Sequence, residues 1–291
     1  MMLSSLGFAL MSACVKLVSV YGIPVLEIVA ARALVSVCIS VADIKRKGIS
    51  MWGNDRVFLV LRGVIGAFAL MCVYYSMTTL PLAEATILQY LHPVFTALFA
   101  LVLLKEVIQR PTLVCIALSL LGLVVMLLPN LTMASNDRIE WFSVGAALLG
   151  AVGSAAAYTV VKRLSCTEDT SVIIFYFPLI ALPISLLLLG DDFVMPTGFA
   201  WVLLLFVGVF TQVGQIGLTK AMQCESANKA TAYSYVQIVF AIVIGWMVFD
   251  EVPSLYSMVG GALIVLGALV NVFGTRGYAA MQSFMSNRRA R

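Results

Sequence analysis

The pattern of apolar and polar positions along the chain predicts a series of hydrophobic helices joined by short polar connectors. Most apolar runs are about 20 residues long, the length that a helix needs to cross the hydrocarbon core of a bilayer. The breaks between the runs contain proline, glycine or charged residues, which end helices. The pattern therefore predicts ten membrane-spanning helices at about residues 3–21, 25–42, 57–79, 82–104, 111–129, 142–162, 171–189, 198–220, 228–249 and 253–274.

The composition supports this interpretation, because 62% of the 291 residues are hydrophobic and only 11% are charged. A soluble globular domain has roughly 25% charged residues, so this chain has too few to cover a surface exposed to water. The composition excludes a soluble enzyme, a nucleic-acid-binding module and a disordered chain. We therefore expect an all-α polytopic membrane protein whose surroundings are the lipid bilayer and which binds no nucleic acid.

A single longer connector divides the predicted helices into two sets of five. Residues 1–129 form the first set, residues 130–141 the connector and residues 142–274 the second set, followed by a basic tail at 275–291. With every other connector short, no soluble domain is predicted that could carry chemistry outside the membrane.

The basic residues predict the orientation of the chain, because lysine and arginine collect on the cytoplasmic side of a membrane. Alternate connectors and the tail hold most of the basic residues, and the opposite side holds Arg138 with several acidic residues. We therefore expect both termini to be cytoplasmic, the connector 130–141 to be periplasmic, and the protein to lie in the inner (plasma) membrane. The residues that indicate the cytoplasmic side are Lys45, Arg46, Lys47, Arg56, Lys105, Arg110, Lys162, Arg163, Lys220, Lys229, Arg276, Arg288, Arg289 and Arg291.

The second half of the chain repeats features of the first half at an offset of 145 or 146 residues. Because each half contains an odd number of predicted spans, the two copies must cross the bilayer in opposite directions. Inverted repeats of this kind build many secondary transporters, with the substrate site between the repeats near the bilayer midplane. The matched pairs include Gly7 with Gly153, Lys16 with Lys162, Thr86 with Thr231, Tyr90 with Tyr235, Glu106 with Glu251, and Gly122 with Gly267.

Several segments carry motifs of a known kind: Arg62-Gly63-Val64-Ile65-Gly66, Leu80-Pro81-Leu82-Ala83-Glu84-Ala85-Thr86, His92-Pro93-Val94-Phe95-Thr96-Ala97 and Leu104-Lys105-Glu106. These segments resemble the EamA-type branch of the drug/metabolite transporter superfamily. The resemblance covers nearly the whole chain and implies ten helices arranged as two inverted five-helix repeats. The second copy departs from the pattern at Ile238, which stands where the first copy has Pro93. The resemblance implies transport but leaves the substrate open, since the family's ligands range from amino acids to nucleotide sugars.

Three charged side chains are predicted to lie within the spans, where a charge costs roughly 2.5–3.5 kcal/mol at a helix centre. They are Lys16, Arg32 and Glu84. In one interpretation Lys16 and Arg32 line an outward vestibule, pair with Glu27 or Glu84, and meet an anionic group of the substrate. In the other, both basic side chains extend to the membrane surface. Arg62, at the inner end of the third span, is interpreted as an interfacial anchor rather than a ligand.

Polar side chains recur on one face of the fourth predicted span, and similar residues occur on the third, eighth and ninth spans. The alternative to substrate binding is hydrogen bonding between helices, worth only about 0.6 kcal/mol on average. We predict a substrate site formed by helices 3, 4, 8 and 9, with helices 1 and 6 contributing. The predicted substrate-binding residues are Lys16, Arg32, Tyr74, Tyr75, Thr86, Gln89, Tyr90, Gln212, Gln215, Tyr235 and Gln237.

Two further residues are candidates for proton coupling. His92 is the single histidine of the chain, and the unperturbed pKa of histidine lies close to physiological pH. Glu84 is the competing candidate. For His92 a structural hydrogen bond within the bundle is the alternative interpretation.

The leading functional hypothesis is a secondary transporter that exports an amino acid or related small metabolite by alternating access. The alternative is uptake or exchange of a nucleotide derivative or another larger organic anion. An enzyme is not expected, because the chain has one histidine, no H-E-x-x-H or G-x-S-x-G motif and no phosphate-binding glycine loop. No cofactor or metal is predicted, and the pattern leaves open whether the protein is a monomer or a homodimer.

Overall fold

The computed structural model describes residues 1–79, 88–133, 141–190, 192–250 and 255–289, and the regular elements within these ranges are all helical. The helices are α1 (Met2–Ser19), α2 (Val25–Lys47), α3 (Arg56–Thr79), α4 (His92–Leu103), α5 (Arg110–Met133), α6 (Trp141–Leu164), α7 (Thr170–Leu189), α8 (Ala200–Cys224), α9 (Ala227–Ala232), α10 (Val236–Phe249) and α11 (Leu255–Arg289), with a single 3-10 turn at Tyr233–Tyr235 between α9 and α10.

The prediction of an all-α polytopic membrane protein is confirmed. Within the described residues, seven helical segments are long and apolar enough to cross a membrane: Met2–Ser19, Val25–Lys47, Arg56–Val73, Trp141–Leu164, Thr170–Leu189, Ala200–Cys224 and Ala227–Phe249. Shorter apolar helical segments lie at His92–Leu103, Arg110–Val125 and Met258–Asn271. The count of ten spans stays a prediction.

Local sequence signals explain several helix ends. α2 ends at Gly48, whose φ of 65° places it in the left-handed region that glycine adopts readily. Lys45, Arg46 and Lys47 occupy its last turn, where positive charge interacts favourably with the helix dipole. α7 begins after Asp169, whose side chain accepts a hydrogen bond from the backbone N–H of Ser171.

The fourth predicted span differs from the structure. The sequence predicts a continuous helix over residues 82–104, whereas α4 begins at His92 and Tyr90–Leu91 form a turn before it. Pro93 lies in the first turn of α4, where its missing N–H costs no helical hydrogen bond. Proline therefore marks the start of a helix here instead of a kink within one.

The helices of the first half pack mainly against helices of the second half. α1 packs against α8 and α10, α2 against α7 and α8, α3 against α6 and α7, α4 against α6, and α5 against α11. The two halves are therefore interleaved, and their boundary runs through the middle of the bundle. A site at this boundary receives side chains from both halves.

Small residues allow the closest of these helix contacts. A Cβ atom at Gly7 of α1 would lie 2.9 Å from the backbone nitrogen of Gly214 and 3.1 Å from the carbonyl oxygen of Phe210 on α8. On α6, Ala147, Ala151 and Ala155 are fully buried. Since apolar burial does not drive helices together in lipid, such close packing is a main source of association.

We expect Gly7→Leu to lower the stability of the protein. The added side chain meets backbone atoms of α8 that cannot move independently, and overpacking of this kind typically costs about 1–3 kcal/mol. The measurement is thermal unfolding in detergent. Gly145→Leu is the matched control, because a Cβ atom at Gly145 on α6 meets nothing within 4 Å. Equal thermal stability of the two variants would contradict the close contact of α1 with α8.

Candidate substrate-binding site

A cavity of about 190 Å³ lies between the two halves, and its polar lining comes from helices α1 to α4, α6 and α8 to α10 and from the turns before α4 and α10. It is smaller than the roughly 300–1,000 Å³ pockets that hold drug-sized ligands, so it suits a small metabolite. The polar and titratable side chains that line it are Ser4, Ser5, Arg32, Arg62, Gln89, Tyr90, His92, Ser154, Tyr158, Gln215, Thr231, Ser234 and Gln237.

Two arginines meet at one aromatic ring of this cavity. The guanidinium carbon of Arg62 lies 4.9 Å from the centre of the Phe177 ring, and that of Arg32 lies 5.9 Å from the same centre. The two residues are only 3% and 8% exposed. Contact with an aromatic face attracts a cation but does not neutralise its charge, so this part of the cavity is strongly positive.

Gly66 makes room for Arg62. The two residues are four apart on α3 and therefore share a face of the helix. A Cβ atom at Gly66 would collide with Nη1 of Arg62 and would lie 2.9 Å from Cδ2 of Phe177. Because residue 66 has no side chain, the guanidinium lies against its own helix and still reaches the cavity.

The backbone leaves α-helical geometry beside the cavity in both halves. It does so at the turn Tyr90–Leu91 and at the 3-10 turn Tyr233–Tyr235. The hydroxyl of Tyr235 donates a hydrogen bond to the carbonyl oxygen of Tyr90 at 3.0 Å, and the two rings stack with their centres 6.1 Å apart. Irregular backbone at membrane depth is tolerated where it is buried in protein or lines a cavity, and these two turns meet that condition together.

His92 is held by contacts within the bundle. Its Nδ1 lies 3.0 Å from the carbonyl oxygen of Gln89, and its Nε2 lies 3.5 Å from the hydroxyl oxygen of Ser234. Since a carbonyl oxygen only accepts, the first contact assigns the proton of the neutral ring to Nδ1. His92 also makes an edge contact with the ring of Tyr158 at 5.5 Å.

Of the predicted substrate-binding residues, Arg32, Gln89, Tyr90, Gln215 and Gln237 line the cavity, as does the candidate proton carrier His92. Tyr235 is fully buried next to Tyr90. The structure brings together residues that lie far apart in the sequence. Glu84, Thr86 and the side chain of Tyr74 lie outside the described residues.

Three other predicted residues lie away from the cavity. The ammonium group of Lys16 lies 4.4 Å from the centre of the Phe249 ring. Tyr75 is 42% exposed and makes an edge contact with Phe142. Gln212 is buried and donates a hydrogen bond to the hydroxyl of Ser40 at 2.9 Å.

Several residues of the cavity were not predicted to belong to it, and Arg62 and Tyr158 are two of them. Arg62, interpreted from the sequence as an interfacial anchor, is buried in the cavity wall, and Tyr158 lines the same cavity. The sequence signal that could have indicated Arg62 is Gly66, four residues later. The predicted partner of Arg32, Glu27, instead accepts the backbone N–H of Val194 at 2.9 Å.

The described part of the chain holds no group of three or more His, Cys, Asp or Glu side chains that could bind a metal ion. The described lining of the cavity offers a ligand cations, amides, hydroxyls and aromatic rings.

Hydrogen bonds join the two halves at the end of the bundle predicted to be cytoplasmic. The carboxylate of Glu168 accepts from the backbone N–H groups of Asn54 and Asp55, at 2.6 Å each. The carboxylate of Glu106 accepts from the N–H of Ala227 at 2.9 Å, where α9 begins.

A second group of contacts lies at the same end. Lys47 forms ion pairs with Asp43 and Asp169, each at 2.9 Å. The hydroxyl of Ser171 donates to Asp43, and the hydroxyl of Tyr176 donates to the carbonyl oxygen of Trp52 at 3.2 Å. Together with Glu106 and Glu168, these residues connect the first half to the second at the end of the bundle that is predicted to be cytoplasmic.

The EamA-like transporter family matches the chain twice, at residues 1–128 and 141–273. The chain belongs to this family. It is a small-molecule transporter and not an enzyme, and the resemblance found in its sequence is confirmed. The family matches fall on either side of the connector that divides the two predicted sets of helices.

Named relatives of this transporter come from bacteria and animals. The chain is 33% identical over 268 residues to the pseudopaline exporter CntI of Pseudomonas aeruginosa, covering 92% of both chains. It is 33% identical over 227 residues to human solute carrier family 35 member G1, covering 75% of this chain and 62% of that protein. It is 25% identical over 217 residues to the S-adenosylmethionine uptake transporter of Rickettsia felis, covering 75% of this chain and 72% of that protein.

A solved crystal structure shares the fold of this transporter. It superposes with a TM-score of 0.79 and covers 95% of this chain and 98% of the other, at 20% sequence identity. At this identity the likeness concerns the fold alone.

The position of Asp169 predicts a pH dependence of stability. Its burial opposes the charged form, but hydrogen bonds from Lys47 and the N–H of Ser171 hold the pKa of Asp169 below its ordinary value of 3.8. A carboxyl whose pKa is lowered in the folded protein contributes stability above its unfolded pKa and loses it as the pH falls through the folded pKa.

We expect Asp169→Ala to lower stability by about 0.5–2 kcal/mol at pH 7, as loss of a helix cap does. The difference in stability between this variant and the unmodified protein should become smaller below pH 4. Thermal unfolding in detergent between pH 7 and pH 3 measures it, with the exposed Asp192 replaced by alanine as a control. A difference that grows as the pH falls would contradict the arrangement.

We expect opposite phenotypes when the two glutamines on one turn of α8, Gln212 and Gln215, are each replaced by alanine. Gln215→Ala should reduce transport at least tenfold with little change in stability, because its side chain lines the cavity. Gln212→Ala should leave transport per folded molecule nearly unchanged. It should lower stability by about 0.6–1.7 kcal/mol, the average and the maximum measured for interhelical hydrogen bonds in a membrane protein. Thermal unfolding and transport assays on the same preparations measure the stability and the activity of both variants. Loss of transport in Gln212→Ala with normal transport in Gln215→Ala would refute the placement of the cavity.

Proposed function

We propose that this transporter exports an amino acid or a related small metabolite across the inner membrane by alternating access. The observation that carries the proposal is the cavity between the two halves, lined by arginine, amide, hydroxyl and aromatic groups in an otherwise apolar bundle. Polar groups are costly inside a membrane protein and mark substrate pathways. A scaffold needs no such cavity.

The proposed alternating access rests on a second proposal, that the two halves are inverted repeats. Corresponding helices of the two halves make corresponding contacts. α1 packs against α8, and its counterpart α6 packs against α3. In the same way, α1 packs against α10, and α6 packs against α4. The close approach of Gly7 to Gly214 has its counterpart at Gly153, where an added Cβ atom would lie 2.9 Å from the Cβ atom of Ala69. In the sequence, Gly7 and Gly153 are 146 positions apart, and Ala69 and Gly214 are 145 apart.

Inverted repeats provide a physical basis for alternating access, because exchanging the conformations of the two halves moves the opening from one side to the other. The contacts of Glu106, Glu168 and Asp169 would then hold the predicted cytoplasmic end together in one state and separate in the other. Both termini are proposed to lie in the cytoplasm.

The direction of transport is proposed as export because the pseudopaline exporter is similar over nearly the full length of this chain. The alternative is uptake or exchange of a nucleotide derivative or another larger organic anion. The similarity to S-adenosylmethionine uptake transporters favours uptake in that alternative. Coupling to protons through Glu84 or His92 remains part of the proposal.

We expect Tyr90→Ala and Gln89→Ala to reduce counterflow at least tenfold, because both side chains line the cavity. Counterflow of radiolabelled amino acids and then of nucleotides in proteoliposomes measures it, with and without a pH gradient. Tyr75→Ala is the matched control, since Tyr75 is exposed on the outside of the bundle.

Trans-stimulated uptake that saturates identifies a carrier and its substrate class. Normal counterflow in well-folded Tyr90→Ala and Gln89→Ala variants would refute the proposed site. Linear flux that does not saturate would show a pore and refute the carrier.

A further inference from the structure

We infer that the cavity selects a substrate with net negative charge and binds its carboxylate between Arg62 and Arg32. This inference rests on the proposed function and names the substrate class that the proposed site takes. It also assigns Arg62, which the sequence placed at the membrane interface, a direct role in recognition.

The first observation is the burial of Arg62 without an acidic partner among the described residues. Arg62 is 3% exposed, and its buried Nε atom has no hydrogen-bond partner in the described part of the chain. A buried charge without a partner is strongly destabilising. Groups of this kind persist where function requires them, and a guanidinium is suited to bind a carboxylate through two parallel hydrogen bonds.

The second observation is that Arg32 adds a second positive charge beside the same Phe177 ring. Among the described residues, its polar contact is a weak one, from Nη1 to the sulfur of Met11 at 3.9 Å. The two guanidinium groups approach the ring from α2 and α3. An anion near Phe177 therefore meets cations from two helices.

The third observation concerns the acidic residues. The ion pairs among the described residues join Lys47 to Asp43 and Asp169, and Lys229 to Glu225, and none of them includes Arg32 or Arg62. The acidic residue nearest in sequence to Arg32, Glu27, receives its hydrogen bond from Val194. In the described part of the chain, no carboxylate lines the cavity.

The net charge of the preferred substrate follows from the two arginines and the lack of a carboxylate in the described lining of the cavity. A zwitterionic substrate would satisfy one arginine but would add an ammonium group where the described lining provides only neutral acceptors. A substrate with an additional carboxylate, or with a carboxylate and no ammonium group, balances the two arginines better. The side-chain amide groups of Gln89 and Gln215 remain available to its neutral polar atoms.

The test compares acids with their isosteric amides, using glutamate with glutamine, aspartate with asparagine, and succinate with succinamide. Thermal unfolding of the full chain in detergent gives the concentration of each compound that produces half of its maximal stabilisation. We expect at least one acid to stabilise the protein at a concentration at least tenfold lower than its amide. No stabilisation by any acid, or equal stabilisation by acid and amide, would overturn the inference.

The variants examine whether Arg62 is responsible. Arg62→Gln should abolish the preference for the acid, and Arg62→Lys should retain part of it because the charge remains. Without ligand, Arg62→Gln should unfold at the same or a higher temperature than the unmodified protein, since it removes a buried charge that no acidic side chain of the described residues pairs with. A large loss of stability in Arg62→Gln, or an unchanged preference in it, would assign Arg62 a structural role and overturn the inference.

Arg163→Gln is the matched control. Its guanidinium carbon lies 4.0 Å from the centre of the Phe58 ring, so it shares the aromatic contact, but it is exposed and lies outside the cavity. The preference for the acid should be unchanged in this variant. Loss of the preference in Arg163→Gln as well would show a general effect of positive charge and overturn the assignment to the cavity.

Counterflow of the same compounds separates this inference from the proposed function. Counterflow of amides in preference to acids would support transport and contradict the anionic substrate. Stabilisation by an acid that shows no counterflow would support anion binding and contradict the proposed transport of that substrate class.

Discussion

The obligation to satisfy backbone hydrogen-bonding groups away from water governs this structure. Inside a membrane that obligation restricts the chain to helices, except where protein or a cavity supplies other partners. The carbonyl oxygens of Gln89 and Tyr90, at the turn before α4, have such partners in Nδ1 of His92 and the hydroxyl of Tyr235. The hydroxyl of Ser234 similarly donates to the carbonyl oxygen of Thr231. The side chains around the cavity are thus fixed in place by the turns that they stabilise.

The second constraint is the distance between helices. α1 and α8, and likewise α3 and α6, approach closely because Gly7, Gly214 and Gly153 have no side chains at the points of contact. Gly66 serves a different purpose, since the space that it leaves is filled by the guanidinium of Arg62. The same residue type therefore brings backbones together in one place and admits a buried charge in another. A count of glycines in the sequence does not distinguish these roles.

The sequence predicted most helix positions well, because the length of an apolar run is a local signal that the bilayer thickness translates directly into structure. It also identified Gln89, Tyr90, Gln215 and Gln237 as residues that lie at the cavity. It did not predict the orientation of Lys16, because the face of α1 that meets the cavity depends on the packing of α1 against α8 and α10. The burial of Arg62 was not predicted, because its position was inferred from the distance to a helix end, which ignores the neighbouring helices. Gln212 and Gln215 differ by less than one helical turn, and only tertiary structure assigns one to Ser40 and the other to the cavity.

The contacts at the predicted cytoplasmic end contribute a free energy that would stabilise one conformation of the proposed transport cycle and could still be overcome by substrate binding. Each neutral hydrogen bond contributes about 0.5–1.5 kcal/mol net and one to a charged group about 1.5–3 kcal/mol, while exposed ion pairs such as Lys47 with Asp169 contribute about 0–1 kcal/mol. Glu106, Glu168 and the cluster around Lys47 therefore supply several kcal/mol. Reversing a two-state population from 1:99 to 99:1 takes about 5.5 kcal/mol of differential binding. In the proposed mechanism, the two energies are similar in magnitude. A substrate that neutralises Arg32 and Arg62 better in one conformational state than in the other would therefore shift the equilibrium between these two states.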